Sequence, residues 1–203
     1  MAIAVLVLMG TTVVAPARVG WVGWAVAGIE GVLLAALIIG DPGRIDRRTR
    51  WLRRTGLLLI ALMVGEALLF TGLLVYDLVT GSEITSNAPL LLATGAKVWL
   101  TNNIAFALLY WQLDGGGPAQ RAYGLPDYPD FGFPQLLNPG LAPPDWRPQF
   151  HDYLYLSLTT ANAFSPTDTP PLVPWAKVAM ATQALVSFVL LGLVIARAVN
   201  IFK

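Results

Sequence analysis

Between Tyr153 and Phe202 the chain reads YLYLSLTTANAFSPTDTPPLVPWAKVAMATQALVSFVLLGLVIARAVNIF: an apolar segment too short to cross a bilayer, a polar turn rich in proline, then an apolar run of full spanning length. Few arrangements accept that order. In hydrocarbon every backbone polar group must be satisfied, so an open turn at membrane depth survives only where protein buries it or where it lines a water-filled space. The half-crossing before Ser165, Pro166, Thr167, Asp168, Thr169, Pro170 and Pro171 therefore predicts a re-entrant loop followed by a spanning helix.

The other residues read as a membrane protein too. Of the 203 residues, 56% are apolar and 12% charged, against about 25% charged in soluble domains, and the charges gather between the apolar runs. The first run, Ala2 to Ala15, has signal-peptide length. No basic residue precedes it, however, and another run follows after Pro16-Ala17-Arg18, so it reads as a retained helix. Gly20 to Gly40 is long enough to span, with Trp21 and Trp24 at interface depth, and stops at Asp41-Pro42-Gly43. Six arginines (Arg44, Arg47, Arg48, Arg50, Arg53, Arg54) fill the next connection, which the positive-inside rule assigns to the cytoplasm. A nucleic-acid patch fits poorly in so tight a loop between spans.

Two further spans follow, joined by the short GSEITSNA, which makes them antiparallel neighbours. Gly56 to Val79 carries Glu66 near its middle; Pro89 to Trp111 carries Lys97, Asn102 and Asn103, with Tyr110 and Trp111 as interface aromatics. A lone charge at that depth costs about 3 kcal/mol or more, so Glu66 and Lys97, at similar depth, are expected to pair. Glu30 has no evident partner. Residues 114–152 hold eight prolines and many aromatics with little apolar periodicity, which predicts an irregular cap folded over the end of the bundle.

The expected organisation is one all-α membrane protein with about five transmembrane helices and one re-entrant helix and loop. It divides into a four-helix region over 1–112 with a basic loop at 41–55, a cap over 113–152, and the re-entrant unit over 153–203. Several activities are excluded. The chain has no cysteine and one histidine, His151, so a thiolate site, a disulfide, a Cys nucleophile and a multi-histidine metal or haem site are out. Gly115-Gly116-Gly117 lacks the lysine and hydroxyl residue of a phosphate loop, and no serine has nucleophile-elbow spacing. No enzyme activity, cofactor or nucleic-acid partner is expected.

Laid without gaps on the pore region of two-helix potassium channels, the stretch resembles that family. Ser157 and Thr160 match the pore helix, Asp168 closes the filter, Pro171 follows it, and Trp175 opens the inner helix. The filter falls on Ala163, Phe164, Ser165, Pro166, Thr167 and Asp168, and there the match ends. Ser165 and Thr167 stand at glycine positions, and Pro166 has no amide hydrogen, so potassium selectivity by backbone carbonyls is not implied. The resemblance implies a potassium-channel-like pore module in a homotetramer, because one pore loop cannot surround an ion alone. Ala184, Ser187 and Gly192 would line or gate it, and rings of Ser165, Thr167 and Asp168 would favour monovalent cations. Segments WLTNNIAFALLYWQLDGGGP, DFGFPQ, DYLYLSLTTANAFSPTDT and ARAVNI are also similar to a family of uncharacterised multi-span bacterial membrane proteins, which implies the bacterial inner membrane.

Each candidate has a plainer role beside the functional one. Asp168 is a cation-attracting ring or a helix cap. Asn102 and Asn103 contact an ion path or bridge helices. His151 and Asp152, with Asp127 and Asp130, form a hard-cation site or are simply solvated. The rival functions are a non-conducting accessory subunit that binds a protein partner through the cap, and a proton-coupled transporter working through Glu30 and Glu66.

Overall fold

A computed structural model describes residues 6, 20–40, 50–124, 128–163 and 168–201. Among them all regular structure is helical, apart from one isolated antiparallel bridge between Phe131 and Pro171. The helices are α1 (Gly20–Gly40), α2 (Arg50–Thr80), α3 (Glu83–Ser86), α4 (Ala88–Leu113), α5 (Pro118–Tyr123), α6 (Pro134–Leu137), α7 (Phe150–Ala163) and α8 (Pro174–Ile201). Two are long and apolar enough to cross a membrane, over Arg53–Thr80 and Pro174–Ile201. The first apolar run, Leu6 excepted, and residues 41–49 of the basic loop lie outside the described residues.

The helix ends follow local chemistry. At Asn87 the side chain accepts from the Leu90 amide and Pro89 stands in the first turn of α4, a position where proline's missing N–H costs nothing. Ser82 and Thr85 cap α3 reciprocally. Pro118, Pro134 and Pro174 likewise open α5, α6 and α8.

Helix α4 is the central element, packed against α2, α7 and α8, while α1 leans on α2. Leu34 and Leu37 of α1 meet Leu59, Ile60, Met63 and Ala67 of α2 and Ala105 and Leu108 of α4. A second cluster joins Phe70, Leu74 and Leu78 of α2 to Leu91 and Val98 of α4 and Leu190, Val194 and Ala198 of α8. These pairings make α1 and α4 antiparallel to α2, and α8 parallel to it. Gly95 lets α4 and α8 close: a Cβ there would stand 3.0 Å from both Val194 methyls.

One end of the bundle gathers the start of α2, the end of α4 and the cap. At Gly56 a Cβ would stand 3.0 Å from Gln112 Nε2, so the exposed Arg53 and Arg54 belong to the cap end. The opposite end holds α3, the start of α4 and the end of α8, where the Arg197 Nε–H donates to the Thr85 carbonyl at 3.1 Å.

Candidate functional site

The cap is built on an aromatic cluster rather than on regular structure. Phe131, fully buried, meets Tyr110 at 5.4 Å between centroids, Trp175 at 5.5 Å, and Tyr153 and Phe133 at 6.4 Å. Edge-on contacts of this kind are favoured by the ring quadrupoles. Phe131 thus ties α4, α7 and α8 to the cap. The backbone seals the junction: the Gly132 amide donates to the Pro170 carbonyl and the Leu172 amide to the Asp130 carbonyl, both at 2.9 Å. Tyr110 is therefore completely buried, not an interface aromatic, because the cap covers the end of α4.

A polar lock sits beside it. After α4 the chain turns through Gly115, Gly116 and Gly117 with φ of 56°, 79° and 105°, the left-handed region that glycine adopts without penalty. The turn aims the buried Asp114 carboxylate at the Tyr153 hydroxyl, which donates to it, and Arg121 donates to the Asp114 carbonyl. The Arg121 guanidinium lies 5.1 Å from the Tyr153 ring centroid, and Arg147 reaches the Arg121 carbonyl at 2.6 Å. Asp130 accepts from the Gly115 amide at 2.9 Å.

Burial pushes Asp114 above the ordinary carboxylate range, against the opposing pull of the Tyr153 hydrogen bond and the Arg121 charge. Burial and the neighbouring Asp114 charge push Tyr153 up as well. A carboxyl raised on folding stabilises fully below its unfolded pKa, about 4, and that contribution is lost as pH rises through the folded value. The melting midpoint of wild type relative to Asp114→Asn is therefore expected to be highest near pH 4 and to fall as pH rises, levelling off once Asp114 has ionised. A flat difference across that window would contradict the assignment.

From this anchor α7 runs 14 residues into the bundle, about 20 Å at 1.5 Å per residue. Its inward face is polar and satisfied across three helices. The Tyr110 hydroxyl donates to Gln183 Oε1 at 2.6 Å; Gln183 Nε2 donates to Ser157 Oγ at 2.7 Å and to the Ser157 carbonyl at 3.1 Å; Ser157 Oγ donates to the Asn103 carbonyl at 2.7 Å. All four residues are buried. Thr160, also buried, bonds back to the Leu156 carbonyl at 2.8 Å within α7.

Ala163 closes α7, and Phe164, Ser165, Pro166 and Thr167 lie outside the described residues. The chain is described again at Asp168, which is exposed and engaged in an interaction of its own. By Pro171 it is bridged to Phe131 in the cap. So α7 begins at the cap, runs inward, and α8 begins at the cap again. Asp168 does not cap α8, since α8 starts only at Pro174.

The three candidate lining residues of α8 differ in placement: Ser187 is fully buried on the Met180–Gln183–Leu190 face, Ala184 is half-buried, and Gly192 is exposed. The exposed stripe runs through Ala181, Thr182, Leu185, Phe188, Gly192 and Ile195.

Across the bundle, Glu30 of α1 is fully buried, and the ionisable group acting on it is Glu66 of α2. Glu30 therefore has a neighbour that its sequence position did not reveal. Glu66 and Lys97 are each half-buried and engaged. The Asn102 amide, Asn103 Oδ1 and Ser187 Oγ have no protein partner in hydrogen-bonding geometry. Asn103 Nδ2 bonds within α4 to the Trp99 carbonyl at 2.8 Å. At the cap, His151 is 78% exposed and 3.6 Å from Asp152, whose carboxylate accepts the Gln149 amide at 2.7 Å. Asp127 lies outside the described residues. Among the described residues no three His, Asp or Glu side chains converge as metal ligands.

Comparison with protein families, curated proteins and solved structures finds no match to this chain. Its residues alone carry the functional reading. Gln183 and Tyr110 were absent from the sequence candidates, yet a lone glutamine in an apolar helix is itself a signal, since a buried amide must find partners.

Proposed function

We propose that the chain is one subunit of a tetrameric, multi-pass channel for monovalent cations in the bacterial inner membrane, with a potassium-channel-like pore module whose loop enters from the cap side. The observation that carries this reading is the placement of α7 and α8: a short helix that starts at the cap and runs inward, a chain bridged to the cap again at Pro171, and a helix of spanning length that starts at Pro174. In this reading α4 is the outer helix, α7 the pore helix, Ala163 to Asp168 the filter-like loop and α8 the inner helix. Four copies would bring the exposed Asp168 carboxylates into a ring that attracts cations by field. Ser165 and Thr167 would supply hydroxyls, and Ala181, Thr182 and Gly192 would lie toward the pore. Ser157 and Asn103 then serve to hold the pore helix, through Gln183, rather than to meet the ion.

The test is the mass of the detergent-purified protein, followed by cation flux into liposomes. Four chains and a flux that falls severalfold in Asp168→Ala support the channel. A monomer or dimer without flux overturns it and favours an accessory subunit, for which Leu137, Leu141 and the 88% exposed Tyr128 would form the docking face on the cap.

A second reading, proton-coupled transport, draws on Glu30 facing Glu66. Intramembrane carboxyls mark proton relays. Flux abolished by Glu30→Gln but unchanged in Asp168→Ala would select it.

A further inference from the structure

At the end of the bundle opposite the cap, a groove of about 490 Å³ opens beside the last turns of α2 and α8, lined by Leu78, Leu193, Ala196, Arg197, Val199 and Asn200. Four of its walls are apolar and no carboxylate lines it. Its one charge is Arg197, half-buried in the last turns of an apolar helix of spanning length. Arg197 is fixed, not free to swing out: its Nε–H is held by the Thr85 carbonyl at 3.1 Å, and a guanidinium has four further N–H donors in the same plane. Asp77, next to Leu78 on α2, is buried and has an interaction of its own, and Glu83 is exposed on α3.

We infer that this groove binds an anionic phospholipid, with the phosphate on Arg197 and Asn200 and one acyl chain along Leu193 and Leu78. Three features favour that occupant. A planar guanidinium matches phosphate oxygens bidentately. The groove sits at the end of two spanning-length helices, the depth of lipid phosphates, with its one cation beside apolar walls. The apolar walls would be wasted on free phosphate but match an acyl chain. The inference rests on α2 and α8 lying in a bilayer and is independent of ion conduction.

The test is native mass spectrometry of the detergent-purified protein titrated with phosphatidylglycerol, phosphatidylcholine or inorganic phosphate. Wild type is expected to retain phosphatidylglycerol about fivefold more tightly than phosphatidylcholine, the ratio that one partly exposed ion pair supplies. Arg197→Gln should remove that preference. Ala196→Phe, which fills the groove without touching the arginine, should weaken retention of both lipids, and this second variant keeps the test valid if loss of the Thr85 bond unfolds the first. Equal retention of both lipids by wild type overturns the inference. So does phosphate competing as well as phosphatidylglycerol, or retention unchanged in Ala196→Phe.

Discussion

Phe131→Ala is expected to cost about 3–5 kcal/mol, the range for emptying a fully buried aromatic site. The ring meets Tyr110, Phe133, Tyr153 and Trp175 at once, so its loss removes contacts to α4, α7 and α8 together. The site has little room to collapse, because the Gly132 and Leu172 amides pin the chain on either side of the Phe131–Pro171 bridge. Denaturant unfolding in mild detergent would show the loss as a lower midpoint, and fluorescence of a variant that keeps Trp175 as its one tryptophan would report exposure at the start of α8. A cost under about 1 kcal/mol, the scale of a surface change, would mean that the cap does not anchor the start of α8.

Gln183→Leu is expected to cost about 2–4 kcal/mol, although leucine fills the volume and suits an apolar helix. The change leaves the buried Tyr110 hydroxyl without an acceptor and removes both donors that reach Ser157 from α8. An orphaned buried polar group carries its full desolvation penalty, about 1–3 kcal/mol. A second substitution isolates the cause: Tyr110→Phe removes the stranded hydroxyl, so it should cost less in the Gln183→Leu background than in wild type. The expected coupling is about 1–2 kcal/mol. Strict additivity would show that the hydroxyl and the amide do not act as a unit.

Much of the helical framework was legible because apolar runs bounded by turn residues leave few choices. The expected runs Gly56–Val79 and Pro89–Trp111 correspond to α2 and α4, each a few residues longer in the fold, since helix ends extend past the apolar window into polar turns. In the cap, Pro118 and Pro134 occupy first turns, where proline initiates, and short helices of 6 and 4 residues follow them between stretches of irregular chain. The Asp114–Arg121–Tyr153 lock was not legible, because it joins residues up to 39 apart through loop geometry that sequence periodicity does not encode. The same holds for Glu30 and Glu66, whose adjacency depends on which faces of α1 and α2 meet. Depth counting along a helix gives height and not azimuth, and azimuth also decides that Ser187 is buried while Gly192 is exposed.

The re-entrant path is the central claim, and sidedness tests it directly. The chain has no cysteine, so single positions can be probed with a membrane-impermeant thiol reagent in sealed vesicles of known orientation. Asp145→Cys in the cap and Asp168→Cys after the loop are predicted to react from one side of the membrane, and Glu83→Cys and Asn200→Cys from the other. Labelling of Asp168→Cys from the side that labels Asn200→Cys would mean that α7 crosses the bilayer completely, and the pore-loop reading would fall with it.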